Sequence, residues 1–168
     1  MQTAYKILAI DSNHDCLNQG LRDAGFIVDE DYTSPKEKIE KIIDQYDGMI
    51  VRSRFPIDRS FLEKATQLKF IGRVGAGLEN IDEEYAASRN IVLFNSPEGN
   101  RDSVGEHAVG MLLMLMHHLR RADAEVRQGI WKREENRGDE LMGKTVGIIG
   151  YGNMGNAFAS VYKVLMLM

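Results

Sequence analysis

Three glycines, Gly150, Gly152 and Gly155, have the G-x-G-x-x-G spacing of a dinucleotide-binding turn. The first permits a tight turn from strand to helix, the second lets the backbone approach a pyrophosphate, and the third lets the helix pack closely on the strand. An apolar run, KTVGIIG, precedes the turn and a helical segment follows it. Since the amides of a helix N-terminus favour anions, the pattern predicts a nucleotide-binding turn.

Two arginines, Arg52 and Arg54, follow directly on the apolar run at 48–51. Open α/β sheets bind their ligands at the carboxyl ends of the strands, and a guanidinium pairs well with either a carboxylate or a phosphate. We therefore consider both arginines as candidates for binding an anionic substrate. The alternative is that they are solvated surface charges.

The adjacent residues Glu106 and His107 resemble an acid–base pair only at first sight. Neighbours on a helix point about 100° apart and do not face each other. The capping box Ser103-Val104-Gly105-Glu106 also gives Glu106 a structural role at a helix start. We predict no catalytic residue here, and no spacing of His, Cys, Asp and Glu along the sequence predicts a metal site.

Five short apolar runs alternate with helical segments over the first 100 residues, which predicts an α/β domain with a doubly wound parallel sheet. Asp58 and Asp82 are the expected N-caps of two of the helices. The predicted strands lie at 5–10, 26–30, 48–51, 69–74 and 91–94.

The chain changes character after this domain. Residues 101–130 are predicted to be a linking or interface helix, whose regular part runs from 103 to 129. Its segment 109–119 is apolar almost all round, so we expect burial between domains or between subunits. A polar loop follows, and residues 143–168 open a new strand-turn-helix unit of dinucleotide-binding type.

The composition indicates a cytoplasmic globular protein that binds neither nucleic acid nor membranes. The chain has 168 residues, 43% of them hydrophobic, and a formal charge of −4 without any long block of like charge. Its single cysteine, Cys16, suits a reducing compartment. The longest purely apolar run, at 111–116, is far shorter than the ~18 residues that a membrane span needs.

Four motifs occur in order along the chain: VRSR at 51–54, GRVGAGLENID at 72–82, NSPEGNRDSVGEHAVG at 95–110 and GKTVGIIGYGNMG at 143–155. Together they resemble the NAD-dependent D-2-hydroxyacid dehydrogenases, most closely the branch that oxidises 3-phosphoglycerate in serine biosynthesis. The resemblance implies a flavodoxin-like substrate domain with an inserted Rossmann domain, NAD as cofactor, a small 2-hydroxy or 2-oxo acid as substrate, and a homodimer for the complete enzyme.

The resemblance also implies site residues. Those expected to face the substrate are Arg52, Ser53 and the backbone amides of Gly75, Ala76 and Gly77. Asn100 is expected to help order the loop that contains these three amides. Those expected to face the cofactor are Ala76, Val104 against the nicotinamide, and Gly150, Gly152, Asn153, Met154 and Gly155 at the pyrophosphate.

The family's catalytic Arg, Glu and His would lie beyond residue 168, so we expect this chain alone to be inactive and to bind NAD weakly or not at all. A phospho-receiver domain is the first alternative, but it needs an Asp at the end of the third strand, where Arg52 and Ser53 stand. A second alternative stays open: a non-catalytic product that dimerises through the helix at 103–129.

Overall fold

Five parallel strands form a single sheet in the computed structural model, which describes residues 4–167. The strand order is β2-β1-β3-β4-β5, the flavodoxin-like order of a doubly wound fold, and it confirms the predicted α/β class. The strands are β1 (Lys6–Ala9), β2 (Ile27–Glu30), β3 (Gly48–Val51), β4 (Phe70–Arg73) and β5 (Val92–Phe94). The described residues divide into two compact units, one that ends at Pro97 and contains this sheet and one that begins at Glu98.

The helices of the first unit begin where the sequence places their caps. The carboxylates of Asp58 and Asp82 each accept a hydrogen bond of 2.9 Å from the backbone amide three residues on, so both predicted N-caps are confirmed. The helices are α1 (Asp15–Asp23), α2 (Lys36–Ile39), α3 (Arg59–Lys64) and α4 (Glu83–Ser88), with a 3₁₀ turn at Ile43–Gln45.

Apolar side chains cover both faces of this sheet. One cluster centres on Leu8, Met49 and Ile71, and the other contains Ile7 and Ile50. All four residues of β3 are buried. A central strand buried on both faces holds its carboxyl end in a fixed position, and Arg52 follows at that end.

The described residues of the second unit form three helices, α5 (Arg101–Met116), α6 (Leu119–Arg127) and α7 (Asn153–Leu167). The expected single helix over 103–129 is therefore wrong, because the helix is interrupted at His117 and His118. His118 adopts the left-handed conformation with φ of 51°, which interrupts the helical ladder. The expected capping box is also wrong, since α5 begins at Arg101 with Asn100 at the N-cap and Ser103 lies inside the helix.

Helices α5 and α7 pack closely through small residues. A Cβ atom built on Gly105 would lie 2.8 Å from the carbonyl carbon of Ala157, so only glycine fits at this point of α5. Val109 and Ala157 are buried beside it, whereas Met111 and Leu115 on α5 are 51% and 72% exposed. None of the described helices is both long enough and apolar enough to cross a bilayer.

The strand expected at 144–150 is not paired. The described part of the chain contains no ladder at these residues, and Ile149 is fully exposed. A strand needs a hydrogen-bonded partner, and the five-stranded sheet pairs only β1 to β5. The turn and the helix expected after it are both present, as Gly150 and α7.

Candidate functional site

The loop after β3 is held by a carboxylate that follows β1. Asp11 Oδ2 accepts hydrogen bonds from three successive backbone amides, those of Arg52 at 2.6 Å, Ser53 at 3.1 Å and Arg54 at 3.4 Å. Hydrogen bonds to an ionised acceptor are stronger than neutral ones, so the carboxylate fixes the backbone of this loop at the carboxyl edge of the sheet.

The two candidate arginines of this loop have different surroundings. The Arg54 guanidinium donates to the backbone carbonyls of Ile10 at 2.8 Å, Asp31 at 2.6 Å, and Ser34. These bonds tie the β3 loop to the ends of β1 and β2. The Arg52 side chain is exposed and forms no hydrogen bond or ion pair with the described residues. Of the two, Arg52 can therefore bind an external anion without breaking a hydrogen bond to the rest of the protein.

The loop after β4 contains the predicted amides of Gly75, Ala76 and Gly77. Gly75 has φ of +150°, and a Cβ atom there would overlap the guanidinium of Arg73. The carbonyl of Gly75 accepts from the Ser96 amide at 2.9 Å, and the carbonyl of Ala76 accepts from Asn95 Nδ2 at 2.6 Å. The segment after β5 thus orders the Gly75 loop, a role that the resemblance gives to Asn100.

Two further polar side chains near this loop were not predicted from the sequence. Arg73, the last residue of β4, has a buried Nε, and Asn80 has a buried side-chain amide; none of these atoms has a hydrogen-bond partner in the described part of the chain. Buried polar atoms are normally paired, so each one without a partner calls for an explanation. Position along the chain could have drawn attention to Arg73, since it ends β4 as Arg52 directly follows β3.

The glycine turn in the second unit has the geometry that its motif predicts. Gly150 has φ of +88°, and a Cβ atom on Gly155 would overlap the carbonyl oxygen of Gly150. The exposed Gly152 and Asn153 open α7, and Met154 is half-buried behind them. The turn lines an open cavity of about 430 Å³ together with Arg101, Tyr151 and Asn156. A small anionic group fits this cavity, at the positive end of the helix dipole.

Asn100 and Val104 lie at the start of α5. Asn100 occupies the N-cap position without a capping bond from its side chain, and its carbonyl accepts from the Val104 amide at 3.1 Å. Val104 is 37% exposed. Glu106 and His107, for which we predict no catalytic role, are both exposed on the same helix.

Comparison with known proteins identifies the family. The family model for D-isomer specific 2-hydroxyacid dehydrogenases, catalytic domain, matches residues 7–163. The chain belongs to this family. D-3-phosphoglycerate dehydrogenase from Archaeoglobus fulgidus is 37% identical over 145 residues, which are 86% of this chain and 28% of that protein. The chain thus spans less than a third of that relative's length.

Two solved structures have the same fold as this chain. The PH0520 protein from Pyrococcus horikoshii superposes with a TM-score of 0.83 at 29% identity, over 96% of this chain and 50% of that one. An NAD-dependent formate dehydrogenase from Staphylococcus aureus, solved in complex with NAD, superposes with a TM-score of 0.74 at 26% identity, over 94% of this chain and 53% of that one. The α/β fold of these two structures therefore extends over nearly all of this chain.

Proposed function

We propose that this chain forms the substrate-binding domain and the pyrophosphate turn of an NAD-dependent dehydrogenase. The substrate of that enzyme is a D-2-hydroxy acid, and we propose 3-phosphoglycerate. The observation that carries the proposal concerns the loop after β3. Asp11 and Arg54 hold its backbone, and the Arg52 side chain has no hydrogen-bond or ion-pair partner among the described residues. The match to D-3-phosphoglycerate dehydrogenases supports the choice of a phosphorylated acid.

On the substrate side, the proposal assigns the anionic groups of the acid to two neighbouring loops. Arg52 and Ser53 bind the phosphate or the carboxylate from the end of β3. The amides of Gly75, Ala76 and Gly77 bind the carboxylate from the end of β4. Adjacent parallel strands place these two ends at the same edge of the sheet.

On the cofactor side, the glycine turn of the second unit fits the pyrophosphate of a dinucleotide. There is no room for a Cβ atom between Gly155 and the carbonyl of Gly150, and the exposed amides at the start of α7 are the donors that a pyrophosphate requires. When bound, NAD supplies the hydride acceptor for the alcohol carbon of the substrate. Gly152, Asn153 and Met154 bind the pyrophosphate in this proposal, and Val104 packs on the nicotinamide ring.

An NMR titration of the ¹⁵N-labelled chain tests this function. With 3-phosphoglycerate, we expect saturable shifts at the amides of Arg52, Ser53 and Ala76, and smaller ones with D-lactate, which lacks the phosphate. With NAD, we expect weak binding with shifts confined to the turn at 150–155. Glycerol serves as the uncharged control. Uniform or absent shifts with 3-phosphoglycerate would rule out the proposed substrate site.

A second candidate, a non-catalytic chain that forms a homodimer, is favoured by one observation. Apolar side chains are exposed along one face of α5 and at the start of α6: Met111, Met114, Leu115 and Leu119. A second copy of the same helix would bury them in an isologous interface. Dimerisation alone does not distinguish the two candidates, since a homodimer is also the assembly we expect of the complete enzyme.

A further inference from the structure

The β3 loop has the form of an anion-binding nest that the chain fills with its own carboxylate. Three consecutive amides, those of Arg52, Ser53 and Arg54, point at one oxygen of Asp11, which lies more than 40 residues earlier in the sequence. Successive amides that converge in this way form a site for a phosphate or carboxylate oxygen. Because Asp11 occupies the site, this loop must bind an external anion through its side chains and not through these three amides.

Arg54 holds the same loop from its other side. Its guanidinium donates to carbonyls that follow β1 and β2, while its own amide is the third donor to Asp11. The turn at 31–34, whose carbonyls accept hydrogen bonds from Arg54, is itself ordered. Asp31 Oδ1 accepts a hydrogen bond of 2.9 Å from the Ser34 amide. Hydrogen bonds from Ser34 also lower the pKa of Asp31, so this carboxylate stays ionised. The loop backbone is thus fixed on both sides and the Arg52 side chain is not.

We propose that Asp11 is a positioning residue for anion binding. Its carboxylate fixes the backbone at 52–54, and this directs the Arg52 guanidinium and the Ser53 hydroxyl towards the anion of the substrate. The inference rests on the proposed function, since it assigns to Asp11 a task within that same substrate site. It excludes direct anion binding by the three amides, because their hydrogen bonds are already used.

Two substitutions at Asp11 and one control test the proposal. Asp11→Ala removes the acceptor, Asp11→Asn keeps an acceptor oxygen without the charge, and Asp44→Ala makes the same change of charge at an exposed residue that forms no ion pair in the described part of the chain. Two quantities are measured by NMR for each protein: hydrogen exchange at the amides of 52–54, and the Kd for 3-phosphoglycerate.

For Asp11→Ala we expect faster exchange at the three amides and a Kd raised about tenfold, the scale of one lost hydrogen bond to a charged group. Exchange in the β3–β4 ladder should not change. Asp11→Asn should recover most of the affinity, which a general loss of stability would not allow, and it provides the test if the alanine variant fails to fold. Asp44→Ala should match the wild type in both measurements.

The outcomes separate the two proposals. If the wild type binds 3-phosphoglycerate and Asp11→Ala binds it equally well, the positioning role is wrong and the proposed function stands. Unchanged exchange at 52–54 in Asp11→Ala would also overturn the positioning role. If the wild type shows no binding, the proposed function fails, and the role of Asp11 in anion binding fails with it.

Discussion

Lys36 Nζ lies 2.6 Å from Asp58 Oδ2, so one ion pair joins the first residue of α2 to the N-cap of α3. The other carboxylate oxygen, Asp58 Oδ1, accepts from the Phe61 amide at 2.9 Å and from the Ser60 hydroxyl at 2.7 Å. Lys36 first, then Ser60 and the Phe61 amide, hold the pKa of Asp58 well below its usual range. All of these contacts favour the ionised carboxylate.

The first prediction concerns the pH dependence of this contact. A carboxyl group whose pKa is lower in the folded state stabilises the protein above its unfolded pKa, about 3.9, and loses that contribution as the pH falls towards the folded value. Asp58→Ala should lower the free energy of unfolding by about 1 kcal/mol at pH 7, the usual effect of removing an N-cap. Below pH 4 the difference from the wild type should shrink.

Urea unfolding followed by circular dichroism at pH 7 and pH 3 measures this difference. Asp44→Ala is the control for loss of an acidic side chain without a cap or an ion pair. A difference for Asp58→Ala that stays the same at both pH values would contradict the assigned role of the ionised carboxylate.

The second prediction concerns Gly48, which pairs with Phe70 across β3 and β4. A Cβ atom on Gly48 would overlap the Phe70 ring, and that ring packs edge-on against Phe94 with centroids 6.2 Å apart. Gly48→Ala should therefore destabilise the chain by about 1–3 kcal/mol, the typical cost of overpacking.

Gly20→Ala is the matched control for Gly48→Ala. Gly20 lies in the middle of α1 with no heavy atom within 4 Å of a built Cβ, so alanine should stabilise the chain by about 0.5–1 kcal/mol. Urea unfolding of both variants gives the two free energies. Equal effects of the two substitutions would show that the Phe70 ring moves aside at little cost.

The third prediction concerns the glycine turn. A Cβ atom on Gly155 would overlap the backbone oxygen of Gly150, which cannot move without opening the turn. Gly155→Ala should abolish the NAD-induced shifts at 150–155 and alter the amide resonances of the turn. Gly147→Ala, where a Cβ atom meets no other atom within 4 Å, should leave the turn resonances as they are. If the amide resonances of the turn are unchanged in Gly155→Ala, the close packing of Gly155 against the Gly150 carbonyl oxygen is contradicted.

The parts of the fold that could be predicted depend on interactions between residues that are close in the sequence. Each strand of the sheet contains a short apolar run, and the caps at Asp58 and Asp82 act on amides three residues away. The family motifs likewise mark the loops after β3 and β4 by their residue types and order along the chain. Local patterns of this kind are sufficient for the α/β class and for the choice of candidate loops.

The features that the sequence did not predict depend on distant contacts or on a single backbone angle. No local pattern shows that Asp11 binds amides more than 40 residues away, or that Arg54 is held by three carbonyls. The helical pattern expected over 103–129 runs through His117 and His118, and the positive φ of His118 separates α5 from α6. Pairing at 144–150 depends on a partner strand, which an apolar run alone does not supply.

The fourth prediction concerns the apolar face of α5. Leu115 is 72% exposed, and the neighbouring Met111 and Met114 are about half exposed. If a second copy covers this face, Leu115→Glu places a charge in an apolar interface and should shift the chain towards the monomer in sedimentation velocity. Glu106→Gln, on an exposed part of the same helix, is the control and should leave the mass unchanged. A wild-type chain that sediments as a monomer at all concentrations would remove the homodimer candidate, and the substrate-site proposal would be unaffected because it uses residues of the first unit.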